Sequence, residues 1–284
     1  MPQPNYGEFQ PLGMVVNGVA VDDYELGPPL SDEPVARTYR GRRKSDGAAV
    51  LIRCLSASFE AHPAVFDQVR QDVGAWVGFE HPGALDVWAS GTSHGRAVIV
   101  YQNTDDPTLE TLLGKRGSFP VREASEIVRD LASLLVGAEH RGLFAGDIRA
   151  SKVHLGVRPR LADLGLARAT AIASGLGRFG LHFGHPGYLA PEVLQIGQRE
   201  PTAASAVYAL GVLYYQLICG RLPFLGDPQR LLEQHFDQPL PPPDPGVEIS
   251  SAVGSLITGM TAKRVQARLT SGQAFAALSQ VVEG

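Results

Sequence analysis

The chain has 284 residues, a formal net charge of −4 and a hydrophobic content of 44%. This content excludes a disordered chain, and the length is that of one large domain or of two lobes. The mildly acidic balance argues against a nucleic-acid-binding protein, in which basic residues usually cluster on one face.

The first third of the chain is rich in short β-prone segments. Bounded by turns with glycine and proline, these segments predict five strands, at residues 24–26, 35–40, 48–54, 85–89 and 97–101. Apolar residues at helical spacing predict one helix over residues 63–77, between the third and fourth strands. Residues 1–23 form an N-terminal extension, which is either a docking arm or a strand packed on the small sheet.

Beyond residue 102 the pattern becomes helical. Apolar residues between Ala124 and Ala138 form one continuous helical stripe. Further helices are predicted over residues 193–196, 205–219, 228–235, 250–261 and 271–282. Residues 103–107 are therefore a candidate hinge between a strand-rich lobe (24–102) and a helical lobe (103–284). Together these lobes predict one α+β domain over residues 24–282.

Three sequence features indicate where the protein resides. The most apolar stretch, Ala203–Cys219, is shorter and more polar than the roughly 20 apolar residues of a membrane span. The first ten residues lack the basic start and apolar run of a secretory signal. Two cysteines, Cys54 and Cys219, are too few for a disulfide framework. We therefore expect a cytoplasmic protein without membrane insertion.

Six landmarks occur in the order found in one known family. They are residues 80–84 (EHPGA), 146–149 (GDIR), 161–168 (LADLGLAR), 184–192 (GHPGYLAPE), 205–224 and Arg268. On these landmarks the chain resembles the protein kinases, and the bacterial serine/threonine kinases most closely. The resemblance implies a small antiparallel-sheet N-lobe with one regulatory helix, and a larger helical C-lobe. It also implies phosphoryl transfer with ATP and Mg²⁺, although a fold does not by itself establish an activity.

The phosphate-binding parts that this resemblance implies are replaced. The loop between the first two strands should contain glycines, because only bare backbone approaches phosphates closely, yet residues 28–40 contain none. The third strand should end in a lysine held by a glutamate of the regulatory helix. Arg53 and Asp72 occupy these two positions. We predict that they form an ion pair. On one interpretation this pair only fixes the helix on the sheet. On the other it takes the place of the phosphate-binding pair.

The resemblance also places three replacements in the adenine slot. Leu51 stands where the family has a small alanine, Tyr101 falls at the gatekeeper position, and His154 stands at the floor of the slot. Extra atoms forced into a packed site cost about 1–3 kcal/mol unless the site rearranges. We therefore expect an occluded nucleotide cleft.

Two aspartates of the catalytic machinery are retained. Asp147 matches the catalytic base and Asp163 the metal-binding aspartate, whereas the second metal ligand, an asparagine in the family, is Lys152. An ammonium group beside Asp163 would mimic the metal and repel another cation. We predict a contact between Lys152 and Asp163, the alternative being that Lys152 points to solvent. Because Ala145 and Gly146 replace the His-Arg pair before Asp147, that aspartate is interpreted as vestigial.

These departures predict a pseudokinase that acts as a protein-binding scaffold or regulator in signalling, without a cofactor. Its expected partner is a protein, either an active kinase or the substrate of one. The candidate surfaces are the regulatory helix, the activation segment (residues 167–184) and the helix after Pro228. Two alternatives remain open. One is a weakly active or atypical phosphotransferase that uses ATP and Mg²⁺, and the other is a sensor of nucleotide or another small molecule without catalysis.

Overall fold

A computed structural model describes residues 10–11, 23–32, 36–55, 63–93, 96–173, 184–194, 201–243 and 246–284. Several predicted features lie partly outside these ranges. They are most of the extension 1–23, residues 33–35 of the phosphate loop, residues 174–183 of the activation segment and residues 195–196 of a predicted helix.

The N-terminal lobe is one antiparallel sheet with strand order β1-β2-β3-β4-β6-β5. Its strands are β1 (Gln10–Pro11), β2 (Tyr24–Asp32), β3 (Ala36–Arg43), β4 (Ala49–Leu55), β5 (Val87–Ser93) and β6 (Arg96–Gln102). β4 pairs with β3 and β6, and its register sets Leu51 directly opposite Tyr101. Directly opposed residues of an antiparallel pair share one face of the sheet, so both side chains reach the cleft below.

Three observed strands, β2, β3 and β5, differ from the predicted bounds by three residues or more at one end. β2 continues past Pro29 to Asp32, and register shifts on both sides of Pro29 accommodate the missing backbone donor. β5 begins at Val87, because the amide of Leu85 instead donates to the carbonyl of Leu161 in the helical lobe, at 2.9 Å. At residues 10–11 the N-terminal extension forms a strand on the sheet, one of the two predicted alternatives.

One helix, α1 (Pro63–Gly74), packs on the sheet. Val69 and Val73, one turn apart, are fully buried and form its inward face. α1 ends three residues earlier than predicted, because the chain turns there and the amide of Trp76 donates to the carbonyl of Val73 at 3.0 Å. The Trp76 ring then packs edge-on against Phe79, with 5.2 Å between centroids.

The C-terminal lobe is helical. It contains a hairpin of β7 (Val153–Leu155) and β8 (Pro159–Leu161), and the helices α2 (Leu109–Arg116), α3 (Val121–Glu139), α4 (Ala167–Ala173), α5 (Ala203–Cys219), α6 (Pro228–Asp237), α7 (Ser251–Met260) and α8 (Ser271–Glu283). A capping box of Thr202 and Ser205 begins α5, and Gly220 ends it with φ of 72°. The predicted two-lobed α+β class is confirmed, whereas the exact lobe boundaries stay a prediction.

The sequence missed α2, α4 and the β7–β8 hairpin. The two helices have eight and seven residues and the two strands three each, and such short segments show little periodicity. The helix predicted over residues 193–196 is instead a 3₁₀ turn at Pro191–Leu194. Within the described ranges, no helix combines the length and the apolar character that a membrane span requires.

A buried ion pair ties the helical lobe together. Arg268 donates to both carboxylate oxygens of Glu192, at 2.6 and 2.8 Å, and to the carbonyl of Ala204 at 2.8 Å. Because both charged side chains are buried, each depends on the other for compensation. Glu192 and Arg268 belong to two of the six landmarks found in the sequence.

Glu192→Gln should lower the free energy of unfolding by about 3–5 kcal/mol, because it leaves the Arg268 guanidinium buried without a counter-charge. Urea unfolding measures this loss. The matched control is Glu123→Gln, which breaks the surface pair of Glu123 with Arg116 and should cost about 1 kcal/mol or less. Equal losses of stability in the two variants would contradict the conclusion that the buried pair ties the helical lobe together.

Candidate functional site

A cavity of about 230 Å³ lies between the sheet and the helical lobe. β4 contributes Leu51 and Arg53 to its wall, β6 contributes Tyr101, and the helical lobe contributes Lys152 and Asp163. The predicted adenine slot is therefore not completely filled, although the volume of the cavity is smaller than the roughly 300–1,000 Å³ of most small-molecule sites. Occlusion of the slot toward nucleotides stays a prediction.

Asp163 is the central charge of this cleft. Its Oδ1 accepts a hydrogen bond from Arg53 and its Oδ2 accepts one from Lys152. All three side chains are about nine-tenths buried. Burial alone would raise the pKa of Asp163, but the two cations outweigh it and hold that pKa well below its ordinary value. The carboxylate is therefore ionised and has a cation on each oxygen.

The predicted contact between Lys152 and Asp163 is confirmed. A 3₁₀ turn at Ala150–Lys152 leads into β7, and the amide of Ala162 donates to the carbonyl of Lys152 at 2.8 Å. This backbone bond holds the two residues side by side. In the described part of the chain, Asp163 is the only non-glycine residue with a positive φ, 57°, a conformation that surrounding contacts must maintain.

The predicted pair of Arg53 with Asp72 is wrong. Arg53 pairs with Asp163, whereas Asp72 accepts hydrogen bonds from Arg168 at 2.9 Å and from Gln68 at 3.0 Å. A buried carboxylate is costly unless it is paired, and the long arginine side chain reaches Asp163 from β4. Asp72, one methylene shorter than the glutamate of the family, instead meets a cation from α4. Sequence reasoning missed the role of Arg168, whose signal was only its position in the landmark 161–168.

His154 does not line the cavity, contrary to its predicted place at the floor of the slot. Its Nδ1 lies 2.8 Å from the carbonyl of Asp106 in the hinge and donates to it. Arg160 on β8, which the sequence did not single out, donates to Asp106 and to Thr104, each at 2.9 Å. His154 is thus hydrogen-bonded to the backbone of the hinge. Arg160 attaches the hinge to the β7–β8 hairpin.

Tyr101, which is predicted at the gatekeeper position, is buried and lines the cavity. Burial raises the pKa of its hydroxyl well above the ordinary value, and the nearby Asp163 carboxylate raises it further. Among the described residues this hydroxyl has no hydrogen-bond partner. An unsatisfied buried hydroxyl costs stability, so Tyr101 narrows the cleft and at the same time lowers the stability of the folded protein.

Asp147 lies outside the charge cluster around Asp163. Arg149 Nε lies 3.0 and 3.3 Å from its two carboxylate oxygens, and the Asp147 side chain is nearly buried. The resemblance implies an aspartate at position 206 that anchors this loop, and the residue there is Ala206, buried in α5. The carboxylate at the position of the catalytic base therefore forms its ion pair with a residue of its own loop.

The residues of the cleft do not fit Mg²⁺. A magnesium ion takes oxygen ligands, yet both Asp163 oxygens already contact cations and the second ligand position carries an ammonium group. In the described ranges no group of three histidine, cysteine or acidic side chains is placed to hold a metal ion. Of the two closely spaced histidines His182 and His185, the first lies outside those ranges, and the second accepts a hydrogen bond from the amide of Gly187.

Residues 34–279 match the family model of the protein kinase domain. The chain therefore belongs to the protein kinase family, as the six landmarks indicate.

Its relatives include bacterial serine/threonine-protein kinases. The chain is 26% identical over 272 residues to the protein PknB of Mycobacterium leprae, covering 93% of the chain and 43% of the relative. It is 29% identical over 237 residues to pkn2 of Myxococcus xanthus, covering 80% of the chain and 28% of the relative. For PknA of Mycobacterium tuberculosis the identity is 27% over 238 residues, with 81% and 54% covered. The chain thus spans a quarter to about half of these relatives' lengths.

Asp163→Asn should change how stability depends on pH. The pKa of Asp163 is lower in the folded protein than in the unfolded chain, so the ionised carboxylate stabilises the fold above about pH 4. This contribution declines as the pH falls below that value. We expect the variant to lose about 3–5 kcal/mol at neutral pH, and the gap to wild type to shrink towards pH 2. Urea unfolding across this range tests it, with the exposed Asp105→Asn as control; a gap independent of pH would contradict it.

Tyr101→Phe should raise the free energy of unfolding by about 1 kcal/mol, because it removes a buried hydroxyl without a partner. The matched control is Tyr214→Phe, since the Tyr214 hydroxyl bonds to Ser125 at 2.5 Å and its loss should lower stability by about the same amount. Thermal and urea unfolding of both variants provide the comparison. Destabilisation by Tyr101→Phe would show that this hydroxyl has a partner after all.

Proposed function

We propose that this chain is a pseudokinase, a kinase domain that acts by binding protein rather than by transferring phosphate. The observation that supports this proposal most directly is the buried Asp163 carboxylate, which contacts Arg53 through one oxygen and Lys152 through the other. Two positive groups at the metal position repel a further cation. Phosphoryl transfer depends on charge neutralisation at the phosphates, which requires a metal in this family.

The sequence supports the same conclusion at three more positions. Residues 28–40 contain no glycine, β4 carries Arg53 where the family has lysine, and Asp72 replaces the glutamate of the regulatory helix. Removing one preorganised electrostatic partner typically costs about 10²- to 10³-fold in rate. Several such parts are replaced together, and their effects are not additive.

The proposed partner is a protein, either an active kinase or the substrate of one. Candidate surfaces are α1, the activation segment and α6. Support for α6 comes from two large apolar side chains, Leu225 just before it and Phe236 within it, which are 61% and 51% exposed. We place the protein in the cytoplasm, since neither of its two cysteines forms a disulfide.

A weakly active or atypical kinase is the second candidate. Its support is that Asp147 and Asp163 are both retained and that the relatives are named as kinases. In that case ATP and Mg²⁺ would have to displace Arg53 and Lys152 from Asp163. A sensor of a small molecule is the third candidate, supported by the cavity of about 230 Å³ and the buried Tyr101 hydroxyl that borders it.

The melting temperature of the chain should not change when millimolar ATP and Mg²⁺ are added. A ligand at 100 times its Kd stabilises a protein by about 2.7 kcal/mol, which is a shift of several degrees at this size. Differential scanning fluorimetry with ATP, with Mg²⁺ and with both measures the effect. A shift that needs both would contradict the pseudokinase proposal, and a shift with ATP alone would favour the sensor.

The matched control is the double variant Arg53→Lys with Lys152→Asn, which restores the phosphate-binding lysine and the amide ligand of the family. We expect this variant to gain a magnesium-dependent shift that wild type lacks. Transfer of radiolabelled phosphate provides the second readout. Incorporation by wild type that Asp163→Ala abolishes would favour the atypical kinase.

A further inference from the structure

Lys263, which follows α7, lies where α6 packs on α5, and its amino group faces neutral partners. Its Nζ donates to the Tyr208 hydroxyl at 2.9 Å and to the backbone carbonyl of His235 at 2.8 Å. The rings of Tyr208 and Phe224 flank the same nitrogen, with their centroids 5.3 and 5.2 Å from it. In the described part of the chain, none of the ion pairs with a carboxylate involves Lys263. The ammonium group is therefore held by neutral groups.

A second cation lies beside this lysine. The Arg268 guanidinium packs on the Tyr208 ring that Lys263 also contacts, 5.0 Å from its centroid. Both carboxylate oxygens of Glu192 accept hydrogen bonds from Arg268. Asp237, at the end of α6, favours the ammonium form of Lys263 but is not among its hydrogen-bonding partners. Because burial and like charges both disfavour a charged group, this environment favours a neutral amine.

The protonation states of this cluster agree with its geometry. Burial lowers the pKa of His235 to about 3 and raises the pKa of Tyr208 above its ordinary value, so both side chains are neutral. Burial lowers the pKa of Lys263 to about 8, while Asp237 opposes this effect and Arg268 adds to it. At pH 7.5 about a quarter of the Lys263 side chains thus carry a neutral amine, against about 0.1% for an ordinary lysine.

The neutral amine of Lys263 has a free lone pair. An ammonium group has three N–H donors, and two of them are used by Tyr208 and His235. Loss of the third proton keeps both hydrogen bonds and leaves the lone pair on the remaining side of the nitrogen. The side chain is only partly buried, so a small solute can reach it. Lysines that are desolvated beside another cation act as nucleophiles.

The two hydrogen bonds of Lys263 stabilise the end of α6. His235 is fully buried there, its Nδ1 lies 2.9 Å from the Tyr208 hydroxyl, and its ring packs edge-on against Phe224 with 4.9 Å between centroids. The next residue, Phe236, is 51% exposed. The position of this exposed ring thus depends on a buried cluster to which Lys263 contributes two bonds.

We propose that Lys263 is a modification site, acylated by small acyl phosphates, and that its acylation releases the end of α6. The nitrogen lone pair attacks the acyl carbonyl carbon, the bond from that carbon to the phosphate oxygen breaks, and one amine proton passes to the phosphate. The amide product has lost the positive charge and retains a single N–H, so it keeps at most one of the two hydrogen bonds. This inference goes beyond the pseudokinase proposal and does not depend on it.

Treatment of the full chain with acetyl phosphate at about pH 7.5, with mass spectrometry of each lysine over time, tests the site. The other three lysines are internal controls: Lys44 and Lys115 are exposed, and Lys152 is buried in its pair with Asp163. A lower pKa reduces the reactivity of each neutral amine, which offsets part of the gain in its population. We expect Lys263 to react about tenfold faster than the exposed lysines, and Lys152 slowest. A Lys263 rate no faster than those of Lys44 and Lys115 would overturn the proposal.

The pH dependence of the same reaction distinguishes the cluster from mere exposure. The acetylation rate of Lys263 should rise to about pH 8 and then level off, because its amine is then largely neutral. The rates of Lys44 and Lys115 should keep rising to about pH 9.5, since ordinary lysines have pKa values near 10.4. Parallel profiles for all three lysines would contradict a neutral amine at Lys263.

Hydrogen–deuterium exchange before and after acetylation tests the effect on α6. The matched control is Lys263→Arg, acetylated in the same way, which keeps a cation at this position and lacks the reactive amine. In wild type, acetylation should speed exchange about tenfold at the end of α6, including the Gln238 amide, which donates to the carbonyl of Gln234 at 3.0 Å. In the variant, acetylation should leave this exchange unchanged. The same change in both proteins, or none in either, would overturn the release of α6.

Discussion

The structure depends on a buried carboxylate held between two cations. Asp163 lies in a strained left-handed conformation, and its charge is compensated by Arg53 from the sheet and by Lys152 from the helical lobe. A buried charge without partners would be costly, so the two lobes are held together by the group that in the family would bind a metal. The Asp163 carboxylate is thus compensated by cationic side chains of the chain itself.

The use of Arg53 by Asp163 has a consequence for the regulatory helix. Asp72 no longer has a partner on β4 and meets Arg168 instead, which ties α1 to the activation segment. At the other side of the cleft, Arg160 attaches the hinge to the β7–β8 hairpin through Asp106. Internal ion pairs thus fix α1, the start of the activation segment and the hinge.

The accuracy of the sequence predictions follows the length and periodicity of each element. α5 and α8 begin and end within two residues of the predicted bounds, because their apolar residues repeat over several turns. The short α2, α4 and β7–β8 hairpin carry no such repeat. Lys152 and Asp163 were paired correctly because the motif spacing sets them beside each other, whereas His154 was misplaced because its backbone partner Asp106 is not visible in any motif.

The sequence by itself determined which chemical groups the cleft contains: no glycine in residues 28–40, no lysine between Lys44 and Lys115, and Lys152 at the position of a metal ligand. Only the tertiary structure decided which cation meets which carboxylate. Arg53 and Asp163 are 110 residues apart, and Asp72 and Arg168 are 96 apart. The strength of an ion pair depends on distance and burial, and both are set by the packing of elements distant in the chain.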